Sequence, residues 1–232
     1  MVADVNTCAG KAVLRQMTND VQATLLLPRY AANPGFMQGL SSLQAFQSAR
    51  MRCTHQSWYL NFADGNLLDF IVDEVYRGID LTPLKGKLAS AERVLGTLFD
   101  DFELVQVAVS FTAITSSLDD ELTRILMSMR CAVIDDVAYA NAVRQQNRLI
   151  ERKQQGELLL SFTRLLLGLL HDRNAWHVIK LAKLPTHLAG LGSFHNLVTH
   201  GFAALCDVEE AGDKVERLVA DEAAYFDALQ RQ

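Results

Sequence analysis

With 232 residues, 50% of them hydrophobic and 21% charged, the chain has the composition of a folded globular protein and not of a disordered one. Lys and Arg total 22 against 27 Asp and Glu, a net charge of −5, which excludes a global positive field drawing the chain to nucleic acid or anionic lipid. No stretch approaches the roughly 20 apolar residues of a membrane span, and Asp4, Asn6 and Lys11 interrupt the apolar run of a secretory signal, so a cytoplasmic protein is expected.

Apolar periodicity predicts a first helix over roughly 5–26, after which Pro28, Pro34, Gly35 and Gly39 read as a linker. Ser41 with Gln44 is a capping-box pattern that opens a helix to about Phe62, its apolar side carrying Leu43, Phe46, Trp58 and Phe62. Asp64-Gly65-Asn66 reads as a break, and a short helix comes next over 67–76, ending near Gly78. Thr82 as N-cap with Pro83 in the first helical position starts a helix running to about Phe99.

Between 105 and 114, Val105, Val107, Val109 and Phe111 alternate with polar or small residues in the period of a strand. Helix is preferred, because Asp100 and Glu103 form a start pattern, Leu104, Ala108, Phe111 and Leu118 share a helical face, and no partner strand is in sight. Ser117 with Asp120 suggests a new helix to about Arg130, and another spans roughly 134–155. Gly156 then separates a leucine-rich helix over 157–171, apolar on all sides and so expected at the centre. Further on, a short helix is expected to end at Pro185, Gly190 and Gly192 to break the chain, and Asp213 with Glu216 to cap a last helix whose Val215, Leu218, Val219, Phe226 and Leu229 face the core.

The expected fold is therefore all-α, an irregular orthogonal bundle of about ten helices, with residues 1–36 as N-terminal helix and linker and 37–232 as the bundle domain. Cys8, Cys53, Cys131 and Cys206 lack C-x-x-C spacing and are expected to be reduced, mostly buried thiols.

Catalytic signatures are missing. None of the six histidines has Asp or Glu three residues before it, and H-E-x-x-H, the phosphate loop and the G-x-S-x-G elbow are absent, so no metal and no cofactor are expected. His187, His195 and His200 cluster, but the last two lie roughly 140° apart on an ideal helix, which suits ordinary histidines better than metal or haem ligands. Arg164 within the leucine-rich helix is a candidate for anionic-ligand binding, against a salt bridge or a snorkelling side chain. Arg144, Arg148 and Arg152 recur every four residues, the pattern of a solvated basic face.

The segment Phe70-Ile71-Val72-Asp73-Glu74-Val75-Tyr76 resembles the signature of the bacterial FFLEELY-motif proteins, with Phe70, Glu74 and Tyr76 identical and the other four conservative. Leu118-Asp119, Tyr139, Arg152, Ala189-Gly190-Leu191-Gly192 and Gly201-Phe202-Ala203-Ala204 extend the likeness over roughly residues 40–229. The resemblance implies a helical, cytosolic bacterial protein and carries no activity with it.

Physically, Phe70, Val75 and Tyr76 anchor a helix whose Asp73 and Glu74 face solvent or a basic partner. The functional alternative joins Asp73, Glu74 and Tyr76 with Arg77, His55 or Arg152 in a polar cluster for acid/base or anion-binding work. A full helical core without a catalytic constellation points first to a non-enzymatic interaction or regulatory protein with a protein partner, and a homo-oligomer fits the same pattern. The other reading is a binder holding an apolar ligand such as an acyl chain or haem between helices, and an enzyme built on the Asp/Glu/Tyr cluster comes third.

Overall fold

Helical segments make up the whole architecture, and no strand occurs among the described residues. The computed structural model describes residues 8–31, 33–87, 90–91, 94, 103–130, 133–172, 177 and 179–231. In chain order the helices are α1 (Cys8–Leu25), α2 (Pro34–Thr54), α3 (Phe62–Phe70), α4 (Glu103–Ser128), α5 (Asp136–Gln146), α6 (Leu149–Leu170), α7 (Lys183–Leu188), α8 (Gly192–Leu205) and α9 (Ala211–Arg231). The all-α, multi-helix bundle expected from periodicity is the observed fold, and the alternating valines lie within α4.

α4 is the axis, with α1, α2, α5 and α6 packed on it, while α9 closes over α5 and α6. Met17, Val21 and Thr24 of α1, spaced by four and three, are buried. One large apolar cluster joins α3, the first half of α4, α6 and α8 around Leu68, Phe111, Phe162 and Phe202. A smaller one joins Leu43, Leu122, Tyr139, Val143, Phe226 and Leu229. On the same helix α4 carries Thr112, Thr115, Ser116, Asp119, Asp120 and Thr123, all buried, a polar ladder inside the protein.

Several boundaries differ from the sequence expectation. α2 starts at Pro34 and not at Ser41, because Asn33 caps it by accepting from the Phe36 N–H at 3.2 Å and Pro34 occupies the first turn. Asp64-Gly65-Asn66 is helical, since Asn61 accepts from the N–H groups of Ala63 and Asp64 and starts α3 before it. Phe62, expected on the apolar side, is 84% exposed. No helix starts at Leu118, because Asp120, read with Ser117 as a start signal, is buried inside a continuous α4.

The chain breaks at Asn147, with φ of 49°, and not at Gly156. Asn is among the residues that tolerate this left-handed C-cap. Gly156 lies inside α6, where a Cβ would approach Val219 Cγ1 to 2.7 Å, so its role is the close contact of α6 with α9. The short helix expected before Pro185 ends at Leu181 with a turn at Ala182, and Pro185 then stands in the first turn of α7, where a missing N–H is tolerated. Of the helix expected over 82–99, Thr82–Leu84 is a 3-10 turn followed by Gly86 at φ 76°, residues 90, 91 and 94 are helical, and 88–89, 92–93 and 95–99 lie outside the described residues. Cys53 and Cys206 are exposed, contrary to the expected burial. Leu159, Phe162 and Leu166 of the leucine-rich helix are buried, and its other leucines pack partly against the large cluster.

Gly190 joins α7 to α8 at φ 85°, with an added Cβ only 2.5 Å from the Pro83 carbonyl oxygen. Gly190→Ala should therefore destabilise the protein by about 1–3 kcal/mol from backbone strain, before the clash is counted. Urea unfolding checks this, and a lower midpoint with unchanged slope is the expected result.

Candidate functional site

Arg50 of α2 is sequestered against α9. It donates to both carboxylate oxygens of Glu222, Nη1 to Oε1 at 2.8 Å and Nη2 to Oε2 at 2.5 Å. Its guanidinium lies 4.3 Å from the Tyr225 ring centroid. His55 Nε2 is 3.6 Å from Glu222 Oε1, longer than a hydrogen bond. Burial opposes ionisation of Glu222, but His55 and Arg50 override it and hold the carboxyl below the ordinary carboxylate range. Burial also pushes the Tyr225 phenol up to about 12, against the pull of Arg50.

Arg152 of α6 is 9% exposed. Nη1 donates to Gln155 Oε1 and Nη2 to Gln146 Oε1, each at 3.3 Å, and the guanidinium is 4.8 Å from the Phe226 centroid. Both acceptors are neutral amides held by partners of their own. Gln155 Nε2 donates to Thr115 Oγ1, and Gln146 Nε2 donates to the Leu118 carbonyl, both at 2.7 Å. Among the described residues no carboxylate pairs with Arg152, and its Nε has no hydrogen-bond partner.

Asp119, on the α4 ladder, accepts from Gln44 at 3.3 Å and Gln47 at 3.4 Å, with Arg29 at 3.9 Å. Burial raises its carboxyl above the ordinary range although Arg152 and Arg29 pull it down. The neighbouring Asp120 takes the main Arg29 contact, Nε to Oδ1 at 2.6 Å, and Arg29 also donates to the Ser116 carbonyl at 3.0 Å.

Arg50, Asp119, Arg152, Gln155 and Glu222, with Tyr76 and Tyr139, line a cavity of about 30 Å³. At roughly 10–15 Å³ per water this holds on the order of two solvent molecules. The Tyr139 hydroxyl is buried without a hydrogen-bond partner among the described residues. Beside the cavity a bay of about 320 Å³ opens between α6 and α9, and the two share Tyr76, Arg152, Gln155, Glu222 and Phe226. Gly156, Leu160, Val219, Ala220 and Ala223 form the bay's apolar walls, with exposed Lys153, Glu157 and Glu216 around them.

Tyr76 reaches this place because α3 ends in a π turn at Ile71–Val75, with the Tyr76 N–H donating to the Ile71 carbonyl. One extra residue in the turn rotates the chain beyond it, so Tyr76 packs edge-on against Phe111 at 5.5 Å and lines the cavity. Burial lifts its phenol well above the ordinary range.

The structure divides the polar cluster anticipated from sequence. Tyr76, Arg77 and Arg152 line the cavity, and His55 touches Glu222 behind it. Asp73 and Glu74 lie instead on an outer face: Arg52 donates to Asp73 at 2.5 Å and to Asp69 at 2.9 Å, and Glu74 is 2.7 Å from His200 Nδ1.

The histidine group divides as well. Buried His195 has Nε2 2.9 Å from the Ile179 carbonyl, exposed His187 has Nδ1 2.7 Å from the Lys183 carbonyl, and their rings are 5.9 Å apart. No group of three or more His, Cys, Asp or Glu that could hold a metal ion occurs among the described residues. Arg164 is exposed, 3.7 Å from Glu216. The basic stripe is not a solvated face, because Arg144 and Arg152 fall on different helices either side of the Asn147 break and Arg152 is buried. Arg50, Asp119, Gln155 and Glu222 were not anticipated, although the polar residues of α4 recur at helical spacing and mark a buried polar seam.

A family model described as Domain of unknown function (DUF8198) matches residues 27–232. No curated protein and no solved structure matches the chain.

Breaking a buried ion pair from one side leaves the other charge uncompensated. Glu222→Ala should cost about 3–5 kcal/mol of stability. Below the ordinary carboxylate range the unfolded chain protonates Glu222 first, so the stability contributed by the ionised form is lost as pH falls through that range and is constant above it. Urea titrations from pH 7 down to pH 3 should show this acid limb in the wild type and a shallower one in the variant.

Proposed function

The chain belongs to the DUF8198 domain family, and we propose that it is a small-molecule binding protein whose ligand occupies the bay between α6 and α9 and reaches the polar cavity behind it. The observation carrying this reading is the continuity of the two spaces through Arg152, Gln155, Glu222, Tyr76 and Phe226. A space with apolar walls and a few convergent polar groups at its inner end is how proteins take up small molecules. Held ionised between Arg50 and His55, Glu222 has no spare role as a proton acceptor, which favours binding over acid/base catalysis. Free thiols at exposed Cys53 and Cys206 favour a reducing, cytoplasmic setting. No helix of the described residues is long and apolar enough to cross a membrane.

The reading as an interaction protein keeps one specific support. Leu181, Leu184 and Leu188, in and just before α7, are all exposed and recur at helical spacing. This stripe is a second surface and does not adjoin the residues lining the bay.

Native mass spectrometry of protein purified without chelators or organic acids tests the reading. A bound mass that disappears in Ala223→Trp, which fills the bay, is expected. A bound mass that survives in that variant counts against the site.

A further inference from the structure

We propose that the ligand of this site is an organic anion, with a carboxylate or phosphate headgroup seated on Arg152 and a short apolar body lying in the bay; this rests on the small-molecule reading above. The charges around the cavity are unevenly paired, and the imbalance falls on Arg152. Arg50 is held by both oxygens of Glu222, and Arg77, exposed at the rim, has Asp73 Oδ1 at 3.7 Å. Asp119 accepts from Gln44 and Gln47 and acts on Arg152 only at longer range, with no salt bridge between the two.

Arg152 is thus a guanidinium more than nine-tenths removed from water whose only hydrogen-bond partners among the described residues are two amide oxygens. A buried cation with no carboxylate in contact is expensive, and an incoming anion matches the planar fork of a guanidinium. The unpartnered Nε lies on a side chain that lines both the cavity and the bay. The unpartnered Tyr139 hydroxyl in the cavity wall is a second donor for the same headgroup. Toward the bay the walls change character, since Leu160, Val219, Ala220 and Ala223 carry no charge. That sequence of surfaces, donors at the inner end and methyl groups outside, fits an amphiphilic acid and not a sugar or a metal ion.

The alternative account makes the two glutamines sufficient partners for Arg152 and the imbalance an ordinary feature of the core. Ligand chemistry separates the two. Melting temperatures of the full chain are measured with hexanoate, hexyl phosphate and hexanamide, three probes sharing one chain length, and affinities by isothermal titration. Hexanoate or hexyl phosphate should raise the melting temperature while hexanamide does not, and whichever anion binds tighter identifies the headgroup. Arg152→Gln, which keeps a hydrogen-bonding side chain of similar reach, should weaken that anion roughly tenfold to hundredfold. Ala223→Trp should abolish binding with Arg152 intact, which covers the case of a misfolded Arg152→Gln.

Equal binding of hexanamide, an unchanged affinity in both variants, or no binding of either anion at about 10 mM, a concentration at which even millimolar affinity would register, would each overturn the inference. Ligand class and ligand binding fail separately: a neutral molecule found bound at the bay by native mass spectrometry would retain the small-molecule reading and end this one.

Discussion

A guanidinium withdrawn from water is tolerated only when its donors meet acceptors of matching charge and geometry. Among the described residues, three arginines are in that position. Arg29 is satisfied by Asp120 and the Ser116 carbonyl, and Arg50 by both oxygens of Glu222. Each of these two pairs spans a long stretch of chain, 91 and 172 residues, so each fastens a distant segment: the turn after α1 to the middle of α4, and α2 to α9. Arg152 has only amides as hydrogen-bond partners. The contrast among the three gives the cavity its character: the Nε atoms of Arg50 and Arg152 are both unpartnered, but Arg50 has a carboxylate in contact and Arg152 has none.

Backbone irregularities shape the space around that group. The π turn after α3 turns Tyr76 into the wall, and the left-handed Asn147 ends α5 so that α6 sets off in a new direction carrying Arg152. Gly156, one turn further along α6, lets α9 come close enough for Val219 to fill the place of a side chain. The same close approach brings Glu222 and Phe226 of α9 over the cavity, while the small Ala220 and Ala223 leave the bay beside it. Each device is local, and together they leave a space lined by polar groups in a protein whose two apolar clusters are otherwise well filled.

The family match over residues 27–232 takes in Arg29 and every residue of the cavity wall, whereas α1 lies before it. α1 nevertheless packs on α4, and its Asp20 accepts from Ser110 at 3.0 Å. The FFLEELY-like segment acquires a physical meaning from its surroundings. Its apolar residues Phe70, Ile71, Val72 and Val75 are core, its acids engage Arg52 and His200 on the outside, and its tyrosine is the part that reaches the cavity.

Leucine, valine and phenylalanine at a 3.6-residue period were enough to determine helices and an amphipathic last helix, because burial of a stripe is a property of local spacing; the leucine-rich segment expected at the centre instead buries one stripe, Leu159, Phe162 and Leu166, and α4 holds the axis. The same periodicity correctly placed the valine-rich segment in a helix, where no neighbouring strand was available to pair. Local spacing did not decide where helices end when two signals compete. Ser117 with Asp120 reads as a cap until Arg29, 91 residues earlier in the chain from Asp120, claims the acid. The site was legible only in part for the same reason. Tyr76, Arg77, His55 and Arg152 were named through the polar cluster around the 70–76 segment, but Glu222 and Arg50 look like exposed helix charges until tertiary packing removes them from water together. Which charge is paired, and which is left with amides alone, depends on groups far apart in the chain meeting in space, and only the tertiary structure decides that.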